Sequence, residues 1–434
     1  MKLSSAHATF RKTQSLVRSP SAVGTTLMRC VRYLLFVATS LHLSLPAHAQ
    51  ATLVTVGTVA ELHSAIDAAN SAGGNRAIML RDGTYTINDT LYINAPNISI
   101  VGASGNRQSV VIQGDAMSSS ARILNVIRVA ASNFKLQDVT VQKSGWHLIQ
   151  IVGEENADSP VIRNCILRDA YEQMVKVSFN AATPSVTADN GLVENCIFEY
   201  TAGIGPQYYI GGIDAHGAKN WVVRNNTFRS IISPSGSVAE FAVHFWNGSA
   251  NNTVEKNLIV NCDRGIGFGM EGKTPNNGGI IRNNMIYHAA NAGQFADTGI
   301  ALVESPNSQV YNNTIIMDNS FPWAIEYRFA STSGVLIANN LSNKPVTSRD
   351  GATGTVSKNI SNASGTWFAN KTNGDLHLTS TVSGVVASGQ SVAGLTEDFD
   401  GQARPSNSID IGADQLAAIA ASPLPPTNLR VVTP

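Results

Sequence analysis

The chain is poor in charged and aromatic residues for its length. Of 434 residues, 14% are charged and 7% are aromatic, whereas 43% are hydrophobic. A disordered chain combines low hydrophobicity with high net charge, so this composition excludes general disorder. The 30 basic and 30 acidic residues balance, and no basic run occurs after residue 49. We therefore expect no nucleic-acid partner, because such binding needs a basic surface.

Cysteine is also scarce, with four residues in the whole chain. Cys30 lies in the N-terminal segment, which leaves Cys165, Cys196 and Cys262. Three cysteines exclude a scaffold held by many disulfides, and the lack of a CxxC pair argues against zinc bound by cysteine. Dinucleotide, P-loop, nucleophile-elbow and HExxH motifs are likewise missing, so no cofactor follows from a motif.

Residues 1–49 have the features of a secretory signal peptide. They contain six basic residues and no acid, and an apolar run from residue 33 to 45 precedes the small-x-small sequence Ala47-His48-Ala49. A start at Met28 would give a signal of ordinary length. A membrane anchor would need about 20 apolar residues, more than this run offers. We expect a secreted or periplasmic protein with no membrane span after cleavage and with 24 basic against 30 acidic residues, a net charge of −6.

An internal repeat dominates the remaining chain. Short strings in which a polar turn residue, most often Asn, stands between apolar residues recur every 26 to 31 residues, with equivalent positions at Asp138, Asn164, Asn195, Asn225, Lys256, Asn283, Asn312 and Asn339. Each unit is short strand, polar turn, short strand, without a good helical stretch. Units of this length that stack and bury a continuous core are typical of solenoids. The sequence predicts an all-β protein, a right-handed parallel β-helix, with coils from residue 95 to 395.

The repeated turn positions predict their own structural role. Asparagine tolerates left-handed backbone angles and can hydrogen-bond to the same residue of the next coil. Cys165 and Cys196 fall at one coil position, so we expect stacked thiols in the core, with a disulfide as the open alternative.

Both ends of the repeat region carry capping signals. In the N-terminal cap, residues 50–94, Thr58 and Glu61 form a capping box that precedes Leu62, Ala65, Ile66 and Ala69 at helical spacing. A short helix over residues 58–70 should cover the first coil.

At the other end, residues 396–416 form a Gly- and Asp-rich closing segment. Asp398 and Asp400 before Gly401 are similar to part of a calcium loop, but the Glu that completes an EF-hand is missing, so a structural turn is favoured and Ca²⁺ stays an alternative. Residues 417–434, with three prolines, predict a flexible tail.

Together, the asparagine-turn coils, the helix cap and the closing segment resemble bacterial right-handed β-helix proteins of the polysaccharide lyase type. This group includes alginate lyases and chondroitinase B, and the resemblance spans residues 54–415. It implies a parallel β-helix and a carbohydrate-active protein. Activities differ among its members, because fold does not fix function. No base-and-acid signature of a known lyase matches, so no catalytic residue is carried over.

A second strand in each coil supplies the candidate site. Its apolar positions alternate with others, so Val177, Ala215, Phe245, Phe268, Leu302 and Tyr327 should point inward. The outward positions form two columns: Gln150, Lys176, Asp214, His244, Gly267, Ala301 and Glu326, and Val152, Ser178, His216, Trp246, Gly269, Val303 and Arg328. Lys176, Asp214, His216, His244 and Trp246 thus occupy three consecutive coils. The two glycines predict a bare groove floor, with Asp263 and Arg264 at its edge and Glu326 and Arg328 beyond it.

Two reactions fit such a groove. In β-elimination, a base removes the proton alpha to a uronate carboxylate that a cation neutralises. Lys176 or a neutral histidine is the candidate base, with a pKa lowered by neighbouring positive charge, and Arg264 or Arg328 could grip the carboxylate. Glycoside hydrolysis instead needs two carboxylates across the bond, for which Asp214 and Asp263 are candidates. Because only Asp214 lies in the cluster, elimination ranks first.

The expected ligand is a polysaccharide or oligosaccharide. Tyr208 and Tyr209 precede Asp214 in a glycine-rich loop, and aromatic faces stack on sugar rings. The predicted site therefore comprises Lys176, Asp214, His216, His244 and Arg264 as catalytic residues. Tyr208, Tyr209, Trp246, Asp263, Glu326 and Arg328 are the predicted substrate-binding residues. A non-catalytic carbohydrate-binding or surface protein is the third alternative, and we expect a monomer.

Overall fold

The structure is a computed structural model that describes residues 51–294 and 296–416. The predicted signal peptide, residues 1–49, and the predicted tail, residues 417–434, lie outside the described residues. One α-helix, α1 (Val59–Ser71), occurs near the N-terminal end of the described part.

Within the described residues the strands follow in chain order: β1 (Thr52–Val56), β2 (Arg76–Leu80), β3 (Gly83–Thr86), β4 (Leu91–Ile93), β5 (Ile98–Gly102), β6 (Val110–Gln113), β7 (Ile127–Val129), β8 (Lys135–Gln137), β9 (Thr140–Ser144), β10 (Ile149–Ile151), β11 (Val161–Arg163), β12 (Ile166–Ala170), β13 (Gln173–Val177), β14 (Leu192–Glu194), β15 (Ile197–Glu199), β16 (Gly211–His216), β17 (Val222–Arg224), β18 (Thr227–Arg229), β19 (Phe241–Trp246), β20 (Thr253–Glu255), β21 (Leu258–Val260), β22 (Arg264–Phe268), β23 (Ile280–Arg282), β24 (Met285–His288), β25 (Ile300–Val303), β26 (Gln309–Tyr311), β27 (Thr314–Met317), β28 (Ile325–Arg328), β29 (Val335–Ala338), β30 (Leu341–Ser342), β31 (Val346–Arg349), β32 (Gly354–Ser357), β33 (Phe368–Asn370) and β34 (Asp375–Leu378).

These strands build three long parallel sheets, which confirms the predicted all-β parallel solenoid. Sheet 1 runs β1-β2-β5-β8-β11-β14-β17-β20-β23-β26-β29-β32. Sheet 2 runs β4-β7-β10-β13-β16-β19-β22-β25-β28-β31, and sheet 3 runs β3-β6-β9-β12-β15-β18-β21-β24-β27-β30. Each coil contributes one strand to each sheet, and a small antiparallel hairpin, β33-β34, follows.

The core forms because every strand is too short to bury an apolar face alone. In sheet 2 the predicted inward residues pair in register from Val177 to Tyr327, and all of them lie in one continuous buried cluster. Aromatic rings also stack between coils, for example Phe198 on Phe228 with ring centres 4.5 Å apart. Stacking of coils, rather than any single coil, supplies the hydrophobic stabilisation.

The asparagine turns take the predicted backbone conformation. All eight equivalent positions, from Asp138 to Asn339, have a positive φ between 50° and 60°. In addition, the residue that follows each of these turn positions is often a second asparagine, and these second asparagines form a buried ladder of hydrogen bonds that was not predicted. Asn226, Asn257, Asn284, Asn313 and Asn340 each donate a side-chain hydrogen bond to the equivalent asparagine of the following coil, at 2.8–3.0 Å. This ladder satisfies polar groups that would be costly to bury unpaired.

Cys165 and Cys196 occupy the same column as this ladder. The amide of Cys196 donates to Asn226 Oδ1 at 2.8 Å, and the amide of Cys165 contacts Cys196 Sγ at 3.4 Å. Both cysteines are free and buried. The predicted stacked thiols are therefore present, and the disulfide alternative is not.

The N-terminal helix has the predicted cap and packing. Thr58 Oγ1 accepts from the Glu61 amide at 3.2 Å, and Glu61 Oε2 accepts from the Thr58 amide at 3.1 Å. Leu62, Ile66 and Ala69 are buried against the first coils. Since β1 and β2 pair across α1, the helix is an insertion between two strands of sheet 1. The parallel sheets thus span residues 52–357, starting before residue 95 and ending before residue 395.

The closing segment lies along the side of the solenoid. The carboxamides of Asn283 and Asn312 donate to the backbone carbonyls of Glu397 and Asp410 in this segment, and that of Asn339 donates to the carbonyl of Gln390, which precedes it. Buried Arg404 donates to the carbonyls of Gly412 and Ala413 at 2.8 and 2.7 Å. The segment binds here because these turn asparagines direct unused donors outward.

Candidate active site on the outer face of sheet 2

The predicted outward columns have the predicted register. Gln150, Lys176, Asp214, His244, Gly267, Ala301 and Glu326 pair directly across successive strands of sheet 2. His216 pairs with Trp246 in the second column. Because inward and outward positions alternate, these side chains leave the core on one face. The loops around that face cover them, since Asp214 and His244 are each only 2% exposed.

A compact polar network joins three coils. The Lys176 ammonium donates to Asp214 Oδ2, and Nζ lies 2.9 Å from His216 Nε2. Trp246 Nε1 donates to Asp214 Oδ1 at 2.5 Å. The imidazole of His216 packs against Trp246 with ring centres 4.0 Å apart. Each heteroatom of the Asp214 carboxylate therefore has a donor, which is required for a charge buried this deeply.

This network fixes the protonation of its members. Burial raises the pKa of Asp214, but the imidazole of His216 and the ammonium of Lys176 outweigh it and hold that pKa well below its usual value. Burial lowers the pKa of Lys176, yet the carboxylate of Asp214 outweighs this and raises that pKa above its ordinary value. The expected base form of Lys176 is thus disfavoured, because its neighbour is an anion rather than a cation.

His216 and His244 remain as candidate bases. Burial lowers the pKa of His216, against the opposing effect of Asp214, but the Lys176 ammonium donates to its Nε2 at 2.9 Å and occupies that lone pair. His244 Nε2 lies 3.0 Å from the Gly269 carbonyl oxygen, which can only accept, so this nitrogen carries the hydrogen. The other ring nitrogen, Nδ1, is buried without a hydrogen-bond partner among the described residues, and it lies 3.6 Å from Glu240 Oε2 and 3.9 Å from Asp214 Oδ1.

His244 and Arg264 line one cavity of about 150 Å³. Glu326 and Arg328 line it too, together with Glu240, Phe241 and Asp297. Arg264 Nε lies 3.2 Å from Asp297 Oδ2, and its guanidinium lies over the ring of Phe241 at 5.1 Å. Cavities for drug-sized ligands are about 300–1,000 Å³, so this one fits a single ring or substituent of a longer chain.

The two glycines do not leave the bare floor that the sequence analysis predicts. A Cβ on Gly267 would lie 2.7 Å from the ring of Phe241, so this ring fills the space above the glycine. Gly269 has φ of +80°, and a Cβ there would lie 1.9 Å from the Val303 carbonyl oxygen. The floor is therefore covered by an aromatic ring, and the glycines allow that ring and the His244 acceptor to approach closely.

Other predicted residues lie at the margins. Tyr208 and Tyr209 are 54% and 40% exposed, and burial of the Tyr209 hydroxyl raises its pKa. Asp263 lies outside the groove, because its buried Oδ2 accepts from the backbone amides of Ser233 and Ala239 at 2.9 and 3.1 Å. Burial raises the pKa of Asp263 to about 6. Glu326 and Arg328 are paired with Arg349 and Asp350, respectively.

Loop residues complete the cavity and were not predicted. Glu240 Oε2 lies 3.6 Å from His244 Nδ1, and Asp297 pairs with Arg264. Neither belongs to a strand, so strand alternation gives no information on either. The one available signal is the position of Glu240, four residues before His244 in the chain.

Among the described residues, one group has the composition and spacing of a metal site, and it lies outside this cavity. It consists of His377, Asp400 and Asp414. In the segment for which the sequence analysis gives a calcium loop as an alternative, the carboxylate of Asp398 accepts from the backbone amides of Asp400, Gln402 and Gln415 at 2.7–3.0 Å. These hydrogen bonds hold the turn that contains Asp398, whereas neither alternative for this segment is tested by them.

No protein-family model and no curated protein matches the sequence. In residues 51–294 and 296–416, no helix is long and apolar enough to cross a membrane. Among solved structures, the chain is similar to a pectate lyase, Pel9A, at 14% identity and TM-score 0.46, over 80% of this chain and 90% of that one. It is similar to an alginate lyase from Paenibacillus sp. str. FPU-7 at 11% identity and TM-score 0.42, over 70% and 97%. It is also similar to the pectin methylesterase PemA from Erwinia chrysanthemi at 9% identity and TM-score 0.32, over 67% and 82%.

Proposed function

We propose that the protein is a secreted or periplasmic enzyme that cleaves a uronate-containing polysaccharide by β-elimination. The observation that carries the proposal is the cavity that His244 and Arg264 both line, together with a His244 Nδ1 that has no hydrogen-bond partner among the described residues. A base beside a guanidinium is the pair of groups that proton removal alpha to a carboxylate requires.

In the proposed reaction, Arg264 binds the uronate carboxylate and neutralises its charge. His244 Nδ1 takes the proton at C5, and the electron pair of that C–H bond becomes the C4–C5 double bond. The bond from C4 to the glycosidic oxygen breaks, and this oxygen takes up the proton that the His244 imidazolium gives back, which returns the ring to its neutral form. Glu240, 3.6 Å from His244 Nδ1, stabilises the imidazolium that forms.

The buried network has a positioning role in this scheme. Trp246 stacks on His244 with ring centres 5.5 Å apart and an interplanar angle of 11°. Its indole nitrogen is held by Asp214, which Lys176 neutralises. The network therefore fixes the plane of the base. Hydrolysis is less favoured, because the low pKa of Asp214 makes it a poor proton donor.

The test is a screen of residues 50–434 against acidic and neutral polysaccharides. Elimination yields a conjugated unsaturated product that absorbs at roughly 235 nm, whereas hydrolysis yields reducing ends alone. We expect His244→Ala to lower kcat by about 100-fold or more, the usual size of a general-base contribution. Arg264→Lys should raise KM, because it loses the bidentate grip.

The matched control is His63→Ala, which changes a histidine of α1 outside the cavity. It should leave turnover unchanged. Reducing ends without the absorbance would identify a hydrolase and contradict the proposal. Saturable binding without any product would identify a carbohydrate-binding protein.

A further inference from the structure

We propose that His377, Asp400 and Asp414 bind a zinc-type divalent transition metal that fastens the closing segment to the hairpin strand β34. His377 lies on β34, whereas Asp400 and Asp414 belong to the closing segment. Each of the three residues offers one ligand atom, and these atoms all lie within 4.8 Å of one another. None of these residues lines the proposed active-site cavity.

The imidazole of His377 provides the first argument. Nδ1 lies 2.6 Å from Asp375 Oδ1, and Nε2 lies 2.8 Å from Asp400 Oδ2. A neutral imidazole has one N–H and one lone pair, so it can donate to only one of these two carboxylates. The second contact is favourable only when the ring is doubly protonated or when a metal ion takes the place of that second proton.

Asp414 provides the second argument. It is only 5% exposed. One of its oxygens accepts from the Leu378 amide at 2.8 Å, and no other hydrogen bond to this carboxylate occurs among the described residues. The site thus concentrates negative charge on a buried group, which a bound cation would relieve.

The donor set indicates the class of metal. One imidazole nitrogen with carboxylate oxygens suits Zn²⁺ and its first-row neighbours, whereas Ca²⁺ and Mg²⁺ prefer oxygen ligands alone. Asp375 is not one of the three ligands, but it contacts the ligand His377. A metal-bound histidine commonly donates its second N–H to a carboxylate, which fixes the tautomer and the ring. Asp375 holds Nδ1 in this way and leaves Nε2 for the metal.

Such a site would be structural. The hairpin β33-β34 and the closing segment follow the last parallel strand, and together they bury Phe368, Leu376 and Ile411 against the outer side of the solenoid. A metal bound by both parts binds only the folded arrangement, so its binding energy adds to folding stability.

The experiment uses the mature chain, stripped with EDTA and titrated with ZnCl₂ at pH 7.5 by calorimetry. We expect one Zn²⁺ per chain, and a Tm that rises with Zn²⁺ but not with equal Ca²⁺. His377→Ala should weaken zinc binding by at least about 10-fold, in line with the size of ligand-shell effects. Asp400→Asn tests the same site with little risk to folding, because Asp400 lies at the surface.

His63→Ala is the control and should bind zinc as the unchanged protein does. The proposal is overturned if the chain binds no zinc, or if His377→Ala and Asp400→Asn both bind it with unchanged affinity. A Tm that falls as the pH rises above 7, with no dependence on zinc, would identify a protonated His377 clamp instead. Polysaccharide cleavage is measured separately, so failure here leaves the proposed lyase activity untouched.

Discussion

Asp214→Asn is the substitution that most directly tests the buried network. The side chains of Asp214 and Lys176 are 3% and 12% exposed, so their ion pair is largely out of water. The change removes the negative charge and leaves the ammonium of Lys176 without a counter-ion. Breaking one partner of a buried ion pair costs about 3–5 kcal/mol. We expect a loss of stability of that size. It should not be larger, because the indole of Trp246 can still donate to the remaining amide oxygen.

The assay is urea unfolding, monitored by circular dichroism and tryptophan fluorescence. The dependence of the unfolding free energy on urea concentration, the m-value, should be the same in all variants. A double-mutant cycle supplies the control. Lys176→Met alone should also destabilise, since it leaves the carboxylate of Asp214 without its ammonium partner. Lys176→Met with Asp214→Leu replaces both charges by apolar groups, and replacing a buried pair in this way is often neutral. The double variant should therefore be more stable than either single one.

Two results would refute this reasoning. A stability of Asp214→Asn within about 1 kcal/mol of the unchanged protein would mean that the pair is solvated like a surface ion pair. Additive effects in the cycle would mean that the two side chains do not interact, because contacting residues show coupling energies of about 0.5–3 kcal/mol.

Three further predictions concern the cap, the groove floor and pH. Leu62→Asp should lower stability by about 3–5 kcal/mol, because it buries an unpaired charge under α1, and an unchanged Tm would contradict this. Gly267→Ala should cost about 1–3 kcal/mol by overpacking against Phe241, and adding Phe241→Leu should recover part of the loss in urea unfolding. Burial lowers the pKa of His147 to about 4. The unfolded chain then binds the extra proton between pH 6.5 and 4, so stability should fall by about 3 kcal/mol as the pH drops through this range. His147→Asn should flatten this part of the difference profile.

The repeat and the register could be predicted because both depend on local alternation. Residues of sheet 2 such as Val243, His244 and Phe245 alternate between core and outer face, and a slip of one residue would place polar groups in the core. The left-handed turns were predictable for a similar reason, since asparagine is one of the few residues that tolerate them. The neighbouring ladder at Asn284 and Asn313 also has a signal in the sequence, because the pair Asn-Asn recurs in several coils. Strand alternation alone gives this pair no role.

The contacts of loops could not be predicted in this way. Glu240 and Asp297 reach the cavity through turns between strands, and their direction depends on how each loop packs. The path of the closing segment depends on long-range bonds such as that from Asn312 to the carbonyl of Asp410, 98 residues away in the chain. Sequence spacing carries no information about such distant partners. The closing segment was therefore predicted at the end of the coil stack, whereas it packs along the side.

The chemistry of the groove depends on partners as much as on residue type. Lysine beside a histidine predicts a lowered pKa, but the same lysine beside a buried carboxylate is held as a cation. The alignment of Lys176 with Asp214 on adjacent strands was predicted, and their pairing decides the assignment of the base. His244 Nδ1 has no hydrogen-bond partner among the described residues, although Glu240 Oε2 and Asp214 Oδ1 lie 3.6 and 3.9 Å away, and its Nε2 donates to a backbone carbonyl. We therefore propose the base on the next coil along, where a glycine with a left-handed backbone presents that carbonyl and where Arg264 lines the same cavity as His244.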